Sequence, residues 1–110
     1  MIEINSFSQE LVDGIVAALK DRAVSIILYG SVARGTETSE SDIDVAVLVN
    51  GDLTRETEES LSEFVVEMNL KYDRVFSVID IDEDVFKRFE NVSPFYINVK
   101  NEGIVLWKAA

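Results

Sequence analysis

The sequence predicts a single α/β domain over residues 1–110, a sheet covered by helices. Three observations carry that prediction. Apolar runs at residues 24–29, 45–49 and 74–81 are rich in β-branched and aromatic side chains and read as strands. Segments whose apolar residues recur every three or four positions lie before and between them. The resulting order of strand, helix, strand, helix, strand is the one in which helices pack over a sheet.

Taken in order, Ser8 is placed to cap a helix reaching about Arg22, with Leu11, Val12, Ile15, Val16 and Leu19 along one face. The first strand stops at Gly30-Ser31. Val32, Ala33 and Arg34 then suit a short helix ended by Gly35, followed by a polar loop over residues 36–41. Asp42-Ile43-Asp44 opens the second strand, and Asn50-Gly51-Asp52 turns the chain after it. Thr54 caps a long helix to about Leu70, with Glu56, Glu58 and Glu59 where the helix dipole favours acids and Leu61, Phe64, Val65 and Met68 as its buried stripe. After the third strand, Asp82 or Glu83 begins a helix that turns Val85, Phe86 and Phe89 inward. Ser93 and Pro94 read as the cap and first residue of another, carrying Phe95, Tyr96 and Val99 to a stop at Gly103. Residues 104–107 form an edge strand or a docking strip, with Ile104 and Leu106 expected in the core and Trp107 of interest if exposed.

Composition narrows the chemistry. The chain has no cysteine and no histidine, which excludes disulfides, thiolate ligands and imidazole as base or ligand. Any bound metal must have oxygen ligands, which favours Mg²⁺ or Mn²⁺ over Zn²⁺. The net charge of −11, from 21 acidic and 10 basic residues, disfavours free nucleic acid as a substrate, because affinity for phosphate backbones comes from Lys and Arg. No apolar run approaches the roughly 20 residues that span a bilayer. The start, Met1-Ile2-Glu3-Ile4, lacks the basic and apolar regions of a signal peptide, so the cytoplasm is the expected location.

The dense chemistry lies between Leu28 and Val49. Glycine lets the backbone bend and a ligand approach, and Ser31 can bond a phosphate oxygen, so Gly30-Ser31 suits an anion. Asp42 and Asp44 alternate along a strand and share a face, with Ile43 turned outward between them. Paired carboxylates call for a cation, and Mg²⁺ fills its remaining positions with water and phosphate oxygens. Each feature alone has a plainer reading, a turn for Gly-Ser and a solvated strand end for Asp-x-Asp. Arg34 offers a guanidinium to a phosphate, or is a solvated helix residue.

Strand, Gly30-Ser31, ten residues, Asp42-x-Asp44, strand resembles the signature of the minimal nucleotidyltransferases, small members of the DNA polymerase β-like superfamily. Gly35, Ser41 and the apolar flanks support the match, and the Glu102-Gly103-Ile104-Val105-Leu106 segment extends it. The resemblance implies a mixed sheet covered by helices, with ATP or another nucleoside triphosphate as substrate. It implies Asp42 and Asp44 as metal ligands, and Gly30, Ser31, Arg34 and Ser41 at the nucleotide. It also implies a partner: minimal members are often paired with a HEPN-domain ribonuclease toxin, to whose tyrosine they attach AMP as antitoxins. A catalytically degenerate subunit controlling its partner by contact is the rival reading, and the oligomeric state stays open.

The superfamily usually carries a third carboxylate on the strand beside the Asp-x-Asp strand, where it helps deprotonate the attacking hydroxyl or completes a second metal's shell. Ser77 lies nearest the expected position; Asp80 is the carboxylate candidate, and Asp82 the other acid on offer. An acidic strand end leading into a helix is the plainer account of Asp80 and Asp82.

Overall fold

The computed structural model describes residues 2–110. Its elements are α1 (Ser8–Leu19), β1 (Ala23–Tyr29), α2 (Gly30–Arg34), β2 (Ile43–Val49), α3 (Arg55–Tyr72), β3 (Phe76–Asp82), α4 (Glu83–Phe89), α5 (Pro94–Glu102) and β4 (Ile104–Lys108), with short 3-10 turns before and after α1. The sheet is mixed, in the order β3-β2-β1-β4. β1 runs antiparallel to both β2 and β4, whereas β3 lies parallel to β2 after the α3 crossover.

Alternation along the strands divides the interior into two layers. Ile26, Leu28, Ile43, Val45, Val47 and Phe76 face α1 and α3, where they join Leu11, Ile15, Leu61 and Met68 in the larger core. Ile27, Ala46, Leu48 and Ile81 face the other way, against Phe86 of α4 and Val99 of α5. Gly14 sits mid-helix in α1 because the Phe64 ring occupies the space a Cβ would need, so the two helices approach closely there.

Several termini differ from the sequence reading. Phe7 occupies the cap position of α1 and Ser8 is already helical, because Phe7 is drawn into the core at 1% exposure. The helix stops at Leu19, since Lys20 takes a left-handed φ of 56°. Thr54 caps α3 by accepting from the Thr57 N–H, Asp82 caps α4 through the Asp84 N–H, and Ser93 caps α5 through the Tyr96 N–H. Phe89 is exposed rather than inward, because α4 is short and commits one side chain fully, Phe86.

The C-terminal segment is an edge strand in which Leu106 packs on the core as expected, whereas Ile104 is exposed and Trp107 is half-buried. A bulge pairs Ile26 with Trp107 and Ile27 with Val105, leaving Leu106 as the extra residue. Both Leu106 and Trp107 therefore pack on the larger core, while Ile104 and Val105 are exposed.

Candidate active site

The site forms where β1 ends and β2 begins. Antiparallel pairing sets Tyr29 directly opposite Asp44, so the turn after β1 lies beside the second carboxylate of Asp-x-Asp. Gly30 follows with φ 77°, a conformation that favours glycine. A Cβ there would collide with the Asp44 carboxylate, so the close approach of Asp44 to the turn also requires glycine. α2 runs from this turn to Arg34, and Gly35 closes it at φ 74°.

Asp44 is partly buried on the α4–α5 side of β2. Burial raises its carboxyl above the usual carboxylate range, the Asp42 charge raises it further, and the Arg34 guanidinium partly offsets both. Burial and the Asp44 charge likewise raise the Tyr29 phenol. Ile43 does not turn outward: it is fully buried in the α1–α3 core. Residues alternate, so the side chain that anchors the strand is the one between the acids.

Arg34 is held by Glu102 at the end of α5, Nη1 to Oε2 at 2.9 Å. This pair bridges α2 to the far end of the sequence, and single residues give no sign of it. Ser41 serves its own loop: its Oγ accepts from the Thr38 N–H at 2.9 Å, and Arg74 donates to its carbonyl at 2.9 Å. Arg74 thus fixes the backbone leading into Asp42, and it was invisible in the sequence because its partner is a main-chain oxygen.

The strand register sets Asp80, the third-carboxylate candidate, apart from Asp44. Ser77 stands beside Asp44, whereas Asp80 stands beside Val47. Val47 belongs to the α1–α3 layer, so Asp80 projects from the opposite face of the sheet to Asp44. Asp82, paired with Val49, lies on that same opposite face.

Among the described residues no group of three or more potential ligands is assembled for a metal. The Asp42–Asp44 pair nonetheless fits one hard cation. Its donors are all oxygen, and a divalent ion offsets both the burial and the Asp42 charge that raise the Asp44 carboxyl. The β3 residue standing beside Asp44 is Ser77 and not a carboxylate.

The chain resembles known proteins along nearly its whole length. The nucleotidyltransferase domain family matches residues 12–106. Two proteins of Methanocaldococcus jannaschii, both named "Putative protein adenylyltransferase", are 34% and 33% identical, covering 90% and 94% of this chain and 93% and 98% of their own. A structure of a tri-AMPylated Shewanella oneidensis HEPN toxin in complex with MNT antitoxin superposes with TM-score 0.62 at 18% identity, over 97% of this chain and 74% of that one. A toxin–antitoxin structure with AMP-PNP gives TM-score 0.62 at 22% identity, over 92% and 73%. A minimal nucleotidyltransferase structure of nearly equal length gives TM-score 0.58 at 18% identity, over 94% and 95%. No helix among the described residues is long and apolar enough to cross a membrane. The chain thus belongs to the nucleotidyltransferase domain family.

Proposed function

We propose that this nucleotidyltransferase transfers AMP from ATP, with Mg²⁺, to a tyrosine of a HEPN-domain partner protein in the cytoplasm, as an antitoxin. The observation that carries the reading is the Asp44 carboxylate seated against Gly30 with Asp42 beside it, a paired anion next to a backbone turn. In this reading Asp42 and Asp44 hold the cation, and Mn²⁺ would fit the same oxygen donors. A divalent ion bound there supplies neutralisation of the triphosphate charge. Gly30 and Ser31 line the phosphates, Ser41 borders them, and Arg34 leaves Glu102 to meet a phosphate oxygen.

The acceptor oxygen attacks the α-phosphorus, the bond to the bridging oxygen breaks, pyrophosphate leaves, and the hydroxyl proton passes to solvent. Ser77 beside Asp44 bears on the acceptor's identity. A carboxylate base matters most for an aliphatic hydroxyl; a phenol, with a pKa near 10, is far more acidic and depends on a base less. The absent third carboxylate therefore suits a tyrosine acceptor. It equally favours the second reading, a degenerate subunit that controls its partner by contact alone.

Intact mass decides between them. The chain is co-purified with the product of its neighbouring gene and incubated with ATP and Mg²⁺, beside an Asp42→Asn/Asp44→Asn control. Gains in whole AMP units on the partner, absent from the control, are expected. A folded, partner-bound chain giving no gain with any of the four nucleotides refutes the transfer and leaves the contact reading.

A further inference from the structure

β3 is an edge strand, and the space along it leads to the site. Among the described residues no strand pairs with its outer side. The Ile43 N–H donates to the Val75 carbonyl at 2.8 Å, so the main-chain groups of Val75, and by alternation those of Ser77 and Ile79, point at β2. Those of Phe76, Val78 and Asp80 point away from the sheet. Asn69 Oδ1 accepts from the Phe76 N–H at 2.8 Å. The next outward groups, on Val78 and Asp80, have the two-residue spacing that an incoming extended chain reads.

A groove of about 580 Å³ runs along this edge between β3 and α3, reaching Asp42. Its floor is apolar, through Val65, Val66 and Val78, and its rim is acidic, through Asp42, Glu58 and Asp80. Val66 and the adjoining Val75 are 55% and 54% exposed. Carboxylates rimming an apolar strip fit a strand whose groove-facing residues are by turns basic and apolar. A second copy of this chain, itself at −11, would bring like charge to that rim.

We propose that the open edge of β3 seats an extended, basic segment of the acceptor protein as an added strand, which delivers the acceptor hydroxyl to Asp42 and Asp44. The part of this that concerns delivery rests on the transferase reading above. Asp80 thereby acquires a role in choosing the acceptor, away from the metal carboxylates.

The probe is a capped heptapeptide with lysine and valine taking turns on its groove-facing side and a central tyrosine on the other, titrated into the full chain with the backbone amides followed by NMR. Saturating shifts are expected at residues 75–80. The glutamate counterpart and a peptide N-methylated on its strand-facing amides should not produce them. Asp80→Lys should weaken binding by about tenfold. Val78→Pro, which removes one outward N–H without touching the ladder to β2, should abolish it. Shifts confined to β4, equal binding of the glutamate peptide, or no shift at residues 75–80 overturns the proposal. Shifts at those residues that track protein concentration without peptide assign the edge to self-association and also overturn it. Adding ATP and Mg²⁺ separates the two readings. A seated peptide that gains no AMP sustains the docking edge and counts against transfer, whereas AMP gain without seating on β3 overturns the docking edge alone.

Discussion

The two faces of the sheet have been given different work. Toward α1 and α3, the β2 residues Ile43, Val45 and Val47 are fully buried and tie the helices to the strands. Toward α4 and α5, the same strand carries Asp44 at its start and only Ala46 and Leu48 behind it. A strand whose one face is fully anchored can hold partly buried, mutually repelling charge on the other. The difference teaches that stability and chemistry are set by alternate residues of one segment.

The widest break in that comparison comes from the acids. Asp44→Asn should reduce AMP transfer by at least about 100-fold while the fold remains intact, read by intact mass and circular dichroism. Its neighbour gives the converse: Ile43→Ala should cost about 2–4 kcal/mol in urea unfolding, with both carboxylates retained. Gly30→Ala joins the two effects, since it forces a side chain into a left-handed turn and against Asp44. It should cost about 1–2 kcal/mol in the same unfolding assay and displace the carboxylate, so transfer falls as well. Arg34→Ala should raise KM for ATP about tenfold with less change in kcat, while Glu102→Gln, which frees the guanidinium, should lower it.

The smallest effect is a pH asymmetry. Asp44 binds its proton more tightly folded than unfolded, so its contribution to stability is full at acid pH and is lost as pH rises through its raised value. Glu10 on α1 runs the other way. The Tyr72 hydroxyl and the Lys71 ammonium of α3 hold its carboxyl low, so its contribution is present above the usual carboxylate range and is lost as pH falls through its depressed value. Urea midpoints measured from acid to neutral pH should therefore change shape oppositely in Asp44→Asn and Glu10→Gln. Parallel profiles would show that the two faces are not electrically distinct.

Much of this arrangement was legible in the sequence because it is local. Strand composition, the Gly30 turn, the caps at Thr54 and Ser93 and the Asp-x-Asp spacing each depend on residues a few positions apart. The direction of Ile43 was misread because periodicity places neighbours on opposite faces without saying which face is covered. Asp80 needed the β2–β3 register, which only the packed crossover supplies. Arg34–Glu102 and Arg74–Ser41 join residues far apart in the chain, one through a side chain and one through a carbonyl, and neither leaves a periodic trace.

The Arg34–Glu102 bridge also orders events in time. β1, the turn and β2 close a short loop, so the carboxylates and Gly30 come together at little entropic cost. β4 must return across most of the chain to pair Leu28 with Ile104, and Glu102 immediately precedes it. Such distant closure is slow and comes late. Closure by sequence separation predicts that the acids and the turn assemble before the last helix docks, and that Arg34 gains its restraint only as the C-terminal strand pairs, which would make the bridge a mark of completed folding.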